Sequence, residues 1–168
     1  TSWAAAVGEA LPQSVAGGNL AAARALARSR SATTSQRTVA FERAVEASYL
    51  ALAELLRKQG IDAPGLDEAM ILAVSRANTD AVRYLLANGA SANARATSRR
   101  EQPAALMLAA RLLDVETVTV LVESGADVAA VDTAGNDARW YVQQGARAGS
   151  AERDALKITN KLQGALDK

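Results

Sequence analysis

The 168-residue chain has no cysteine and no histidine. The first absence removes disulfides, thiolate metal sites and cysteine nucleophiles, and the second removes the commonest general base and metal ligand. A Ser-His-Asp arrangement is therefore impossible, and no Gly-rich segment ending in Lys-Ser or Lys-Thr is present to cradle a phosphate. Neither sign of charge dominates: 19 Lys and Arg stand against 18 Asp and Glu, for a formal net charge of +1. The two signs are interspersed, so no block carries the electrostatic footprint of a nucleic-acid binder, and nucleic acid is set aside as a partner. Long apolar runs are lacking too, because Glu9, Arg24, Glu54 and Arg57 interrupt the most apolar regions. No membrane span is expected. Aromatic side chains are few, with two Trp, three Tyr and one Phe.

Small apolar residues in a helical rhythm make up much of what remains. With 49% hydrophobic and 22% charged residues, the chain can bury a core and is expected to fold as one domain over residues 1–168. The segment Ala69 to Ala94, AMILAVSRANTDAVRYLLANGASANA, holds two short helical patterns, a Gly stop and a small polar loop. In it Met70, Ala73 and Val74 face Val82, Leu85 and Leu86, and Gly89 ends the second pattern. A second copy runs from Ala105 to Ala130, with Leu106, Ala109 and Ala110 against Val118, Leu121 and Val122, and stops at Gly125. An earlier one sets Phe41, Ala44 and Val45 against Leu52, Leu55 and Leu56, with two helices meeting at Ser48-Tyr49 and a stop at Gly60. Upstream, Pro12 is expected in the first turn of a new helix, Gly17-Gly18 separates two helices, and Pro64-Gly65 is expected to turn the chain. The terminating glycines are 29 residues apart from Gly60 to Gly89 and 36 from Gly89 to Gly125.

A period near 33, with two short helices and a polar turn per unit, is the signature of ankyrin repeats. The resemblance is carried by Asp114 to Val128, DVETVTVLVESGADV, and by Val82, Leu85, Leu86, Gly89, Ala90 and Asn93 in the preceding copy. The family's T-P-L-H signature is degenerate throughout, with Ala105-Leu106-Met107 and Ala69-Met70-Ile71 keeping only the Leu-like position, so the capping of the first helices must be weaker or differently made. The resemblance implies an all-α ankyrin-repeat solenoid of four to five units, at about 10–35, 38–64, 67–96, 103–132 and 135–166, with terminal capping helices. Ser150 is the expected N-cap of the last helix, whose stripe Ala155, Ile158, Leu162 and Ala165 lies opposite Lys157, Lys161 and Lys168. Trp3 is expected to plug the N-terminal end of the stack.

In ankyrin folds the binding surface is formed by the turns and the exposed face of each first helix. Carried over by position, this surface comprises Glu46, Asp67, Ser75, Arg76, Arg111, Leu112, Val131, Asn136 and Gln144. The turn ARATSRREQ is longer than its neighbours and carries Arg95, Arg99 and Arg100, which suit carboxylates or phosphates of a partner. A solvated tip would use the same residues. Trp140 reads equally as an apolar anchor or as core, and Tyr141 as core. Leu112 and Val131 are either exposed anchors or residues that an irregular repeat buries.

The resemblance thus implies noncatalytic binding of another protein, without cofactor or metal. The expected contacts are Arg76, Arg95, Arg99, Arg100, Arg111, Leu112, Val131, Asn136 and Trp140. An Ala-rich composition in which Arg outnumbers Lys suits a bacterium. A single-partner inhibitor of immunity type is the sharper expectation, its partner a toxin or effector enzyme. A structural adaptor with two separate patches is one rival, and a secreted effector or accessory protein using converging acids such as Asp67 and Glu68, or Asp132 and Asp137, is another. The missing Cys and start Met suit a periplasmic or exported protein.

Overall fold

The computed structural model describes residues 3–28, 32–61, 63–147 and 152–167. These contain ten α-helices and one isolated antiparallel bridge, between Arg95 and Ala104. The helices are α1 (Trp3–Ala16), α2 (Leu20–Arg28), α3 (Thr34–Glu46), α4 (Leu50–Arg57), α5 (Ala63–Ser75), α6 (Thr79–Ala87), α7 (Ala105–Leu112), α8 (Val115–Glu123), α9 (Ala138–Arg147) and α10 (Glu152–Leu166). In chain order they fall into five consecutive pairs. The fold of the described residues is all-α, as expected.

Every link inside the first four pairs is made the same way. One residue turns left-handed and the next donates its N–H five residues back. The left-handed residues are Gly18, Ser48, Ala77 and Leu113. The bonds that follow are Asn19 to Ser14 at 2.9 Å, Tyr49 to Ala44 at 2.7 Å, Asn78 to Ala73 at 3.0 Å and Asp114 to Ala109 at 3.1 Å. This Schellman closure satisfies carbonyls that a helix end would leave unpaired. In three of the four the residue after it also caps the second helix: Asn19 accepts from Ala22, Asn78 from Ala81 and Asp114 from Thr117, each at 3.1 Å, whereas Tyr49 makes no such bond. Only the first of these left-handed residues is a glycine. Ala77, exposed at φ 52, carries a Cβ where the left-handed region penalises one. Ala77→Gly is expected to raise stability by about 0.5 kcal/mol, the relieved strain exceeding the added chain entropy. A lower urea midpoint for this variant would contradict that balance.

First helices without the T-P-L-H signature are capped by other means. Thr33 and Gln36 form a reciprocal capping box before α3, with bonds of 2.9 and 3.3 Å. Ahead of α7, the Ala104 N–H donates to Met107 Sδ at 3.3 Å, so the helix start rests on a weak sulfur acceptor inside the core.

Two expectations change. α1 runs through Pro12 as one helix. The ring forfeits only the bond that would reach Gly8. Pro64 and Gly65 lie in the first turn of α5, where a missing N–H costs nothing, and do not turn the chain. Ser150 and the Trp3 side chain lie outside the described residues.

The residues group into two compact units, Thr1–Ala69 and Met70–Lys168. In the first, α1 packs on α2 and α3, α3 on α4, and α2 on α4. First helices thus meet first helices and second helices meet second helices. Leu11, Val15, Phe41, Val45, Leu52 and Leu56 are fully buried between them. In the second, α7 packs on α8 and α9, α8 on α6 and α10, and α9 on α10. Every residue of α7 from Ala105 to Ala110 is buried, so over these residues the helix is covered on all sides, and only Arg111 and Leu112 at its end are exposed. Ile158 and Leu162 of α10 are buried, and Lys161 reaches Glu123 at 3.0 Å. No helix among the described residues is long and apolar enough to cross a membrane.

Candidate functional site

The long turn between α6 and α7 is an ordered hairpin. Ala94 and Ala96 are buried, the Ala96 N–H donates to Pro103 O at 3.0 Å, and the Ala105 N–H donates to Ala94 O at 2.8 Å. Across its mouth the Arg95 guanidinium bonds two carbonyls, Gln102 O at 3.1 Å and Val131 O at 3.0 Å. The next turn holds the tip as well, because Thr133 donates from its N–H to Glu101 O at 2.9 Å and from Oγ1 to Arg100 O at 3.2 Å. Lower down, Asn93 accepts from the Asp127 N–H at 2.8 Å and donates to Gly125 O at 3.4 Å. Successive turns are thereby stitched into one surface within the second unit.

Asp132 organises the neighbouring turn. Although it is only 4% exposed, its carboxylate accepts four hydrogen bonds: from the Ala134 N–H at 2.8 Å, the Asn136 N–H at 2.9 Å, Asn136 Nδ2 at 3.1 Å and Tyr141 Oη at 2.8 Å. Burial alone would raise its pKa, but the bonds from Asn136, Tyr141 and Ala134 outweigh burial and hold the carboxyl at about 2. The Tyr141 hydroxyl moves the other way. Burial, the bond to Asp132, and the charges of Asp132 and Glu101 push it up to about 12, against the opposing pull of Arg111. Asp137 caps α9 by accepting from the Trp140 N–H at 2.9 Å and pairs with Arg139 at 3.1 Å. Asp132 and Asp137 are therefore each occupied in holding backbone and side chains. In the first unit, burial and the charge of Glu68 raise the carboxyl of Glu42.

α7 and α9 lie against each other with Gly145 at the contact: a Cβ there would run into the Arg111 carbonyl and the Leu113 side chain. This contact sets Arg111 and Leu112 beside the C-terminal half of α9, with Tyr141 and Trp140 one turn earlier along it. The Tyr141 ring is buried and meets the Trp140 ring edge-on, with centroids 5.1 Å apart. Trp140 remains 40% exposed, Leu112 48% and Val131 47%. Arg99, Arg100 and Arg111 are also exposed and make no ion pair among the described residues.

The expected contact residues thus divide by what the fold does with them. Arg99, Arg100, Arg111, Leu112, Val131 and Trp140 present exposed side chains on the turns and first helices of the second unit. Arg95 and Asn136 bind other parts of the chain. Arg76 is exposed after α5, whereas Ser75 and Gln144 are half-buried. Glu46 and Asp67 belong to the first unit, and both are half-buried. The clamp made by Thr133, Asp132 and Tyr141 was not visible beforehand; its one sequence signal is an Asp three residues before a turn glycine, the pattern of a side chain that bonds its own turn.

Two open grooves lie elsewhere among the described residues. One, of about 430 Å³, is lined by Arg83, Leu86, Ala90, Val120 and Ser124 along α6 and α8. The other, of about 310 Å³ in the first unit, is lined by Leu20, Arg24, Tyr49 and Leu52. Neither wall carries a carboxylate.

The protein family described as ankyrin repeats (3 copies) matches residues 41–132, more than half of the chain. A search of curated proteins returned no match.

Proposed function

The chain belongs to the ankyrin-repeat family, whose repeats are protein–protein interaction modules, and from that premise we propose that it binds one protein partner and blocks it. The observation that carries this reading is the second unit's surface, where three large exposed apolar side chains, Leu112, Val131 and Trp140, accompany three unpaired arginines. Scattered single apolar residues are ordinary, but an aromatic and two aliphatics beside arginines on the turns and first helices of one unit have the composition of an interface centre. The ordered hairpin favours binding further, because its side chains need little additional ordering on association. With Asp132 and Asp137 occupied in holding the turn, the reading needs no chemistry from this face. A bacterial inhibitor of immunity type, acting on a toxin or effector enzyme, is the finer form of the proposal. Its support is compositional, together with the economy of a small binder whose effect is occupancy.

Capture of the natural partner tests the face. Arg99→Glu/Arg100→Glu and Arg111→Glu are expected to weaken recovery at least about tenfold, which is a loss of roughly 1.4 kcal/mol. Equal recovery by all variants would place the contact elsewhere. The inhibitory part is checked separately, by whether the captured enzyme loses activity in proportion to the bound chain.

An adaptor is the second reading, favoured by Leu156 of α10, which is 62% exposed, with Leu166 on the same helix. Under it, Leu156→Asp abolishes recovery of one partner while a second is still retained through the arginine face.

A further inference from the structure

Building on the reading that the second unit's face takes a protein, we infer that the segment seated there is acidic, with carboxylates placed around one apolar side chain. The charge pattern carries this. Arg83, Arg139, Lys157 and Lys161 each have a carboxylate at 3.0–3.2 Å, in Glu116, Asp137, Asp154 and Glu123. Arg99, Arg100 and Arg111 have none among the described residues, and against the exposed Glu101 of the same hairpin they leave this face with an excess of cations.

Their placement is fixed by backbone and not by their own side chains. Thr133 holds the carbonyl of Arg100 and the neighbouring Glu101 carbonyl, and Arg95 closes the base of the hairpin. The Arg111 carbonyl lies against Gly145. The three guanidinium groups are therefore presented from rigid backbone, which suits forked hydrogen bonding to carboxylates. Exposed Leu112, Val131 and Trp140 supply apolar area that a purely ionic ligand would leave wet. Charge complementarity and apolar area together specify a ligand with both properties: an acidic peptide segment with a central Leu- or Phe-like residue.

The test uses the full chain and short fluorescent peptides, read by anisotropy. The probes are a Glu-rich peptide with one central Leu, a Lys-rich peptide with the same Leu, the Glu-rich peptide with Gly in place of Leu, and an oligothymidylate of equal length. The Glu-Leu peptide is expected to saturate, to bind at least about tenfold more tightly than the other three, and to weaken as salt is raised. Arg99→Glu/Arg100→Glu should lose at least about tenfold in affinity at an unchanged melting temperature, since neither guanidinium bonds the fold. Arg83→Gln, at a guanidinium already paired with Glu116, should leave affinity unchanged. Equal binding of Glu and Lys peptides, preference for the oligothymidylate, or insensitivity to the arginine change would overturn the inference. Should Leu112→Asp abolish capture of the natural partner while no acidic peptide binds, the acidic segment is refuted and the protein-binding reading stands. If Leu112→Asp and the arginine variants capture the partner undiminished, the face itself is refuted.

Discussion

Asp132→Ala is expected to lower the unfolding free energy by about 2–4 kcal/mol in urea denaturation followed by circular dichroism. Four donors converge on this carboxylate, and hydrogen bonds to a charged group contribute about 1.5–3 kcal/mol each when measured singly. Their sum overstates the loss. The turn lies at the surface, where water reaches the freed Ala134 and Asn136 amides, while the Tyr141 hydroxyl, whose ring is buried, is left the most exposed to loss. Tyr141→Phe should cost about 1 kcal/mol, and in the double variant the two costs should fall short of adding, because both remove the same bond. A change below about 0.5 kcal/mol for Asp132→Ala would mean that the turn holds without its carboxylate.

The same pair sets two pH limits. The folded carboxyl of Asp132 titrates at about 2 and its ordinary value is 3.8, so it binds a proton less readily when folded. Its contribution is full above about pH 4 and is lost as pH falls towards 2. Tyr141 is raised from 10.0 to about 12, so its contribution is full below about pH 10 and is lost as pH rises towards 12. In Asp132→Ala, stability should fall less steeply between pH 4 and 2, and the tyrosine titration should move down towards 10. An unchanged tyrosine titration by ultraviolet difference absorbance would separate Tyr141 from Asp132.

Gly145→Ala is expected to destabilise by about 1–3 kcal/mol, opposite in sign to the usual effect of replacing glycine inside a helix. Alanine ordinarily gains about 0.5–1 kcal/mol there. At Gly145 the added Cβ meets the carbonyl of Arg111, which is backbone, and the Leu113 side chain. α7 cannot shift to make room, since its buried residues from Ala105 to Ala110 are packed on every side. Overpacking at a rigid contact therefore exceeds the gain in propensity. Gly164 in α10 is the internal control, because nothing lies within 4 Å of the position its Cβ would take. Gly164→Ala should stabilise by about 0.5–1 kcal/mol. Equal stabilisation by the two changes would show that α7 and α9 are not in close contact at Gly145.

The helix pairs were legible because apolar spacing and terminating glycines are local signals. Phe41, Ala44 and Val45, then Met70, Ala73 and Val74, then Leu106, Ala109 and Ala110 are all buried as their spacing requires. Gly60, Gly89 and Gly125 each take positive φ at the end of a second helix. Less legible were the links inside the pairs, where Ser48, Ala77 and Leu113 adopt a left-handed conformation with no glycine to mark it. Helix packing fixes those positions against local preference. The prolines misled for a related reason: a ring at Pro12 reads as a helix start, and the continuous α1 tolerates it at the loss of a single backbone bond.

Periodicity and composition, being properties of near neighbours, determined that this chain is a set of helix pairs without cysteine or histidine chemistry, and that Arg95, Arg99 and Arg100 share one turn. Which arginine is free could be decided only in three dimensions. Arg95 and Arg99 stand four residues apart in the same turn, yet one binds the carbonyls of Gln102 and Val131 while the other makes no ion pair among the described residues. Leu112 and Leu113 are adjacent, yet Leu113 packs near Gly145 while Leu112 is exposed. The physical reason is the same in both cases: each outcome rests on a group more than thirty residues away in sequence or on the helix opposite, and no local pattern records that distance.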